Sequence, residues 1–84
     1  MSTPVDSRIE GFRADITAID EQILGLVARR IELSREVGAL RMAAGGTRLS
    51  LSREQVIVDR FTVALGADGT ALAMLLLKAG RGRL

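Results

Sequence analysis

The sequence IEGFRADITAIDEQILGLVARRIELSREVGAL, residues 9–40, carries the strongest structural signal in this chain. Apolar residues recur in it at spacings of three and four, which places them along one side of an α-helix. This apolar stripe consists of Ile9, Phe12, Ile16, Ile19, Ile23, Leu26, Leu33, Val37 and Leu40, and Arg30 stands among them. The pattern predicts one long helix with a cation on its apolar side.

Arg30 needs an anion close by, because a guanidinium ion keeps its proton and is costly to remove from water unpaired. Two explanations are open. In the first, Arg30 is structural: it pairs with an acid of a neighbouring helix, or its long side chain reaches past the stripe to water. In the second, Arg30 faces the anionic group of a ligand.

Two further arginines bear on this choice. Arg41 follows Arg30 by 11 residues, so the two lie about 20° apart around a helix and share a side. Arg13 precedes Arg30 by 17 residues, which is about 25 Å along the helix axis and about 100° around it. If Arg13 and Arg30 bind one small anion, they come from different subunits. That arrangement predicts a dimer of antiparallel long helices with two equivalent sites.

The composition also favours an oligomer. A chain of 84 residues forms one small domain with little core of its own. It contains no Cys and no His, so disulfides and Cys/His metal sites cannot stabilise it. Its aromatic residues are Phe12 and Phe61, and the core is therefore expected to be aliphatic and shared between subunits.

Charge and hydropathy argue against nucleic acids and membranes as partners. The chain has 12 Lys and Arg against 10 Asp and Glu, a net charge of +2, and no contiguous basic run. Residues 1–8 lack the apolar segment of a signal peptide, and the apolar residues 72–77 are too few to span a bilayer. We therefore expect a cytoplasmic protein.

Glycine, proline and capping residues divide the chain into three predicted helices, so the expected fold class is all-α. The predicted caps are Asp6 or Ser7, then Ser52 in a capping box with Gln55, then Asp68. The predicted inward side chains are Val56, Ile57, Phe61, Ala64 and Leu65 in the second helix, and Leu72, Leu75, Leu76 and Ala79 in the third. Residues 1–84 are predicted to form one domain, with a flexible leader at 1–7, helices at 8–43, 53–65 and 69–79, a connection at 45–50 and a mobile tail at 80–84.

The side chains available for chemistry are arginines and one carboxylate. With no His or Cys, and no G-x-S-x-G or phosphate-loop motif, the usual nucleophile and base arrangements are missing. Glu54 lies in the first turn of the second predicted helix, where the helix dipole alone favours an acid. Glu54 and four arginines form a set of side chains suited to binding a small dianion that carries a hydroxyl group. The four arginines are Arg13, Arg30, Arg41 and Arg53. Such a site can promote a unimolecular rearrangement by orientation and electrostatics.

These residues resemble those of the all-helical AroQ class of chorismate mutases. The likeness runs from about residue 9 to residue 84, through Phe12-Arg13, Arg29-Arg30, Val37-Gly38, Arg41-Met42 and Ser52-Arg53-Glu54. The specific part is the spacing of 17, 11 and 13 residues, which matches the family's catalytic arginine, arginine, cation and glutamate, here Arg13, Arg30, Arg41 and Glu54. The segments GGTRL at 45–49 and GRGRL at 80–84 are similar to the short intracellular actinobacterial subclass.

The resemblance implies an intertwined helical homodimer that converts chorismate to prephenate, toward phenylalanine and tyrosine, without cofactor or metal. Arg13 of the partner subunit would bind the enolpyruvyl carboxylate, and Arg30 would hold both carboxylates in the reactive conformation. Arg41 would oppose the charge that grows on the breaking ether oxygen, and Glu54 would accept from the ring hydroxyl. The pocket wall would include Thr47, Ser50 and Arg53.

Two features depart from the family pattern. Ser50 stands where some relatives carry an aspartate and others an aliphatic residue, and residues 72–79 lack the Gln or Glu that many relatives place near the ether oxygen. Weak catalysis by the chain alone is therefore expected. Members of the similar subclass are activated in a complex with heptulosonate phosphate synthase, which orders the loop and the tail. Residues 45–50 and 80–84 are the expected contacts with that partner.

Two other functions remain open. Isochorismate pyruvate lyases share the helical dimer and the arginine-rich pocket, and they differ in releasing pyruvate and salicylate from isochorismate. A non-enzymatic helical adaptor or nucleic-acid binder would use the arginines as surface charge, with a steep dependence of binding on salt. This last function leaves Arg30 in the apolar stripe unexplained.

Overall fold

The computed structural model describes residues 3–47 and 50–82, which form three helices. They are α1 (Pro4–Ala43), α2 (Leu51–Leu65) and α3 (Ala67–Arg81), and α3 packs against both α1 and α2. Within these described ranges, no helix combines the length and the apolar character that crossing a membrane requires. The predicted all-α class with three helices is confirmed.

Helix α1 begins earlier than predicted because Thr3 forms a capping box with Asp6. The Thr3 hydroxyl accepts from the Asp6 backbone N–H at 3.0 Å, and the Thr3 N–H donates to the Asp6 carboxylate at 3.2 Å. Pro4 follows at the first helical position, where its missing N–H has no intrahelical partner to lose. The flexible leader predicted at residues 1–7 is therefore wrong from Pro4 onward. The predicted caps Asp6 and Ser7 are wrong as well, since Thr3 is the cap.

Helix α1 ends where its glycine pair predicts. The last helical residue is Ala43, and Gly45 follows with a φ of 85°, a conformation that other residues rarely adopt. The Gly46 N–H then donates to the Arg41 carbonyl oxygen at 2.8 Å, which satisfies a group left open at the helix end. Within the predicted connection at 45–50, residues 48–49 lie outside the described part of the chain.

Helices α2 and α3 are joined by a single residue, Gly66, whose φ is 69°. The approach of the two helices is close, because a Cβ on Gly69 would lie 2.0 Å from the Phe61 carbonyl oxygen. The predicted cap Ser52 is wrong, since α2 already begins at Leu51, and so is the predicted cap Asp68, which lies in the first turn of α3. In both cases the true helix start lies two residues before the predicted one.

The end of α3 also differs from the prediction. Gly80 and Arg81 were expected in a mobile tail, yet both belong to the last turn of α3. Glycine weakens a helix by only about 1 kcal/mol, so packing against a neighbouring helix can outweigh it. Gly80 is buried against α1, and this packing offsets the weakening of the helix by glycine. Residues 83–84 of the predicted tail lie outside the described residues.

The core of the protomer is built from small residues of α3. Ala73 is fully buried and Leu77 is 8% exposed, and they are the buried hydrophobic residues of the described part. Gly80 is buried on the same helix, where a Cβ would lie only 2.5 Å from the Ser34 hydroxyl oxygen. The helices therefore approach through residues with little or no side chain, which leaves large apolar residues on other faces.

The predicted inward faces are confirmed only in part. The half-buried members are Ile57, Phe61, Leu76 and Ala79. The prediction is wrong for the exposed members, which are Val56, Ala64, Leu65, Leu72 and Leu75. The buried residues of α3 are Gly69, Ala73, Leu77 and Gly80, so the contact face of this helix is rotated away from Leu72 and Leu75.

The apolar stripe of α1 is uncovered in one protomer. Ile16 is 55% exposed, Ile23 50% and Leu26 69%. The protomer measures 65 × 24 × 16 Å, with a radius of gyration of 18.0 Å, whereas a compact chain of this length has a radius of gyration of about 12 Å. A single protomer therefore leaves its main hydrophobic surface in contact with water.

We predict that Gly80→Ala destabilises the fold, because the added methyl group would lie 2.5 Å from Oγ and 2.9 Å from Cβ of Ser34. Overpacking of this kind costs about 1–3 kcal/mol of unfolding free energy. Denaturant titration followed by circular dichroism measures the loss. Gly11→Ala is the matched control, since a Cβ there meets nothing within 4 Å and should stabilise α1 by up to about 1 kcal/mol. Equal stability of Gly80→Ala and the parent would contradict the close approach.

Candidate active site

A cleft of about 950 Å³ opens where the C-terminal half of α1 meets the start of α2 and the end of α3. Its lining comes from all three helices and from the residues that flank them. The lining residues are Arg30, Leu33, Ser34, Arg35, Val37, Gly38, Ala39, Arg41, Met42, Ser50, Arg53, Glu54, Ile57, Leu77, Gly80, Arg81 and Gly82. Of the predicted site residues, five line this one cleft.

Helix α1 supplies Arg30 and Arg41, which both line the cleft and are both half-buried. Their shared side follows from the separation of 11 residues along an unbroken helix. Among residues 3–47 and 50–82, the ion pairs are Arg29 with Glu32 and Arg81 with Glu54. The structural ion pair considered for Arg30 is therefore not found in the described part of the chain.

Helix α2 supplies the carboxylate. Ser50 precedes the helix in an extended conformation, and its carbonyl oxygen accepts from the Glu54 N–H at 3.0 Å. This bond places Glu54 in the first turn, half-buried and on the cleft wall. Arg53 is exposed beside it and also lines the cleft. Ser50, Arg53 and Glu54 thus enter the site together.

Helix α3 closes the cleft with an ion pair to that carboxylate. Nε of Arg81 donates to Oε2 of Glu54 at 3.1 Å, and Nη2 of Arg81 donates to Oε1 of Glu54. The side chain of Glu54 is 17% exposed and that of Arg81 is 29% exposed. The hydrogen bond to Glu54 raises the pKa of Arg81 above its ordinary value, partial burial opposes this rise, and Coulombic attraction to Glu54 supports it.

Two predicted site residues do not line the cleft of one protomer. Arg13 lies exposed in the N-terminal half of α1, about 25 Å along the axis from Arg30. Thr47 lies exposed in the connection after α1 and is not among the lining residues. The cleft therefore brings together Arg30, Arg41 and Glu54 but does not include Arg13.

The sequence prediction missed Arg35 and Arg81 as residues of the cleft. Arg81 follows Leu77 by four residues and Ala73 by eight, so it continues the buried side of α3. That spacing is the signal that could have revealed it, had the helix not been ended at Ala79. Arg35 lies near the end of α3, with its Nε 3.8 Å from where a Cβ of Gly82 would stand.

The cleft is strongly positive. Its charged lining residues are Arg30, Arg35, Arg41, Arg53 and Arg81 against Glu54. After Arg81 has paired with Glu54, the other cations make no ion pair with an acid anywhere in the described ranges. Such a set can bind a compound with two carboxylates and hold it by bidentate contacts.

Comparison with known proteins shows which family this chain belongs to. The family model described as chorismate mutase type II matches residues 12–74, which include the cleft residues of α1 and α2. The chain belongs to the type II chorismate mutase family. It is accordingly an enzyme, a chorismate mutase of the isomerase class, and the expected all-helical family is confirmed.

Curated relatives support the assignment over nearly the whole chain. The intracellular chorismate mutases of Mycobacterium tuberculosis and Mycobacterium bovis are each 51% identical over 83 residues, covering 99% of this chain and 77% of the relative. The intracellular chorismate mutase of Mycolicibacterium smegmatis is 49% identical over 76 residues, covering 90% of this chain and 73% of the relative.

A solved structure has the same fold. It is a chain of the non-covalent complex of DAHP synthase and chorismate mutase from Corynebacterium glutamicum with bound transition state analog. The likeness covers 98% of this chain and 99% of that chain, with a TM-score of 0.91 and 41% sequence identity. The arrangement of three helices is therefore one already seen in this enzyme family.

Proposed function

We propose that the cleft is the active site in which this enzyme converts chorismate to prephenate, and that Arg30, Arg41 and Glu54 act there on the substrate. One observation carries the proposal: Arg30 and Arg41 line the same cleft as Glu54 and pair with no acid of the described residues. A dianionic substrate with a hydroxyl group supplies what these side chains need, two carboxylates for the cations and a donor for the carboxylate.

The proposed reaction requires no covalent or acid–base chemistry from the side chains of the enzyme. In this Claisen rearrangement one ether C–O bond breaks and one C–C bond forms within a single molecule, with no proton transfer and no nucleophile from the enzyme. Acceleration therefore comes from holding the reactive conformation and from opposing the charge that develops in the transition state. A cleft with fixed arginine charges on rigid helices is suited to both tasks.

Each cleft residue then has a distinct role. Arg30 holds the two carboxylates of chorismate together, which favours the folded conformation that reacts. Arg41 lies 11 residues further along the same side of α1, and we place it at the ether oxygen, where negative charge grows as the bond breaks. Glu54 accepts a hydrogen bond from the ring hydroxyl. Arg53 and Ser50 form the adjoining wall, and Thr47 is proposed to reach it from the connection.

We expect the purified chain to form prephenate from chorismate, with the product identified by NMR. Arg30→Ala should lower kcat/KM roughly 10²–10³-fold, as for other losses of a preorganised group that binds developing or fixed anionic charge. Arg29→Ala is the matched control, because the Arg29 side chain is 62% exposed and pairs with Glu32 on the surface of α1. Equal rates for Arg30→Ala and Arg29→Ala would contradict the assignment of the cleft. Pyruvate and salicylate from isochorismate would instead indicate a lyase.

We further propose that the active unit is an intertwined homodimer. The apolar stripe of α1 is about half exposed or more along most of its length, and a second α1 running antiparallel would cover it. The same arrangement would bring Arg13 of the partner subunit to the cleft that contains Arg30. The dimer thus accounts both for the exposed stripe and for the distance between Arg13 and Arg30 within one helix.

Mixing two weakly active variants tests this dimer. Arg13→Ala and Arg30→Ala should each retain at most about 1% of parental activity alone. If Arg13 acts across the interface, a 1:1 mixture that has exchanged subunits regains about one quarter of parental activity, because half of the dimers contain one intact site. The matched control is a mixture of Arg29→Ala with Arg30→Ala, in which half of all sites retain Arg30. No recovery in the first mixture would show that Arg13 does not act from the partner subunit.

We also propose that a DAHP synthase binds and activates this enzyme in the cytoplasm. The solved relative comes from a complex with DAHP synthase, and the curated relatives are named intracellular. DAHP synthase is the heptulosonate phosphate synthase that the sequence resemblance implies as partner. The proposed contacts are the connection at 45–50 and the end of α3.

Titrating this partner into the chorismate assay tests the association. A DAHP synthase from the organism that encodes this chain should raise kcat/KM to a plateau at equal numbers of subunits. Serum albumin at the same mass concentration is the control and should leave the rate unchanged. A rate that stays constant across the synthase titration would rule out activation.

A further inference from the structure

The ion pair between Arg81 and Glu54 joins residues that are 27 positions apart in the chain. Two N–H groups of one guanidinium donate to the two oxygens of one carboxylate, with the Nε to Oε2 distance at 3.1 Å. The pair is partly buried, since the Glu54 side chain is 17% exposed. A bidentate contact of this kind fixes the plane of the carboxylate as well as its position.

This contact leaves Glu54 able to accept a further hydrogen bond. An ionised carboxylate has about four lone-pair directions on its two oxygens, and the guanidinium occupies two of them. The remaining directions can receive a hydroxyl donor from the cleft side. The ion pair is therefore compatible with the role proposed for Glu54 and does not have to break during the reaction.

The cleft contains other cations with which Glu54 could pair if Arg81 were absent. Arg53 neighbours Glu54 in sequence, and Arg41 lines the same cleft. Without Arg81, the single carboxylate would be free to turn toward either of them. It would then lose its orientation and also neutralise a cation that the substrate's carboxylates require.

We infer that Arg81 is a positioning residue for the reaction: it orients Glu54 for the substrate hydroxyl and keeps that carboxylate away from the substrate-binding arginines. The inference rests on the proposed function, because it assumes that Glu54 accepts from the substrate. Its structural basis is the last turn of α3, which is held against α1 by the close approach at Gly80.

Steady-state kinetics of four variants test the inference: Arg81→Gln, Arg81→Lys, Glu54→Ala and the double variant Arg81→Gln with Glu54→Ala. Arg81→Gln should lower kcat roughly ten-fold with a smaller change in KM. Arg81→Lys should lose less activity than Arg81→Gln, because lysine keeps the positive charge although it cannot make the bidentate contact. In the Glu54→Ala background, Arg81→Gln should have little further effect. Lys78→Gln is the matched control, since Lys78 is exposed in the same last turn of α3.

The outcomes separate this inference from the proposed function. An unchanged kcat in Glu54→Ala overturns the role of Glu54 and the inference with it. A slow Glu54→Ala together with a normal Arg81→Gln overturns only the inference. Equal losses from Arg81→Gln with and without Glu54 indicate a purely structural role for Arg81, which also overturns it.

A spectroscopic measurement keeps the inference testable if Arg81→Gln does not fold. In ¹H–¹⁵N spectra of the parent chain, the Arg81 Nε–H should exchange slowly with water because it donates to Glu54. In Glu54→Ala, which has no side-chain acceptor at this position, this proton should exchange faster than in the parent chain. Unchanged protection in Glu54→Ala would contradict the pairing on which the inference depends.

Discussion

The close approach of α3 to α1 at Gly80 is the contact on which the proposed active-site cleft depends. Because Gly80 has no side chain, the last turn of α3 lies directly against Ser34, and the guanidinium of Arg30 lies close by. The next residue, Arg81, then reaches Glu54 at the start of α2. The absence of one methyl group therefore allows all three helices to contribute to one cleft.

The electrostatics of the cleft follow from an unequal number of charges. Arg81 pairs with Glu54, the carboxylate of the cleft lining. The arginines at positions 30, 41 and 53 pair with no acid of the described residues and can therefore bind an anion. Placing Arg30 on an apolar stripe works against stability, because a partly buried guanidinium without an acid is costly. A local conflict of this kind is typical of a functional site. It suits a reaction that needs fixed positive charge and no proton transfer.

In the proposed dimer, stability and catalysis would both depend on the apolar stripe of α1. The buried hydrophobic residues in the described part of one protomer are Ala73 and Leu77, and residues such as Ile16 and Leu26 are more than half exposed. In the proposed dimer, the partner helix that covers this stripe also supplies Arg13 to the cleft. The shared core and the complete site would then form in a single association step, so neither requires a large domain.

Local patterns in the amino-acid sequence predict the three helices, the shared side of Arg30 and Arg41, and the place of Glu54 in a first helical turn. These features depend on local spacing, which the helical period converts directly into position. The continuation of α3 through Gly80 and Arg81, and the pairing of Arg81 with Glu54, depend instead on tertiary contacts. Glycine predicts a helix end locally, but burial against Ser34 outweighs that preference, and no local pattern records a contact between residues 27 positions apart.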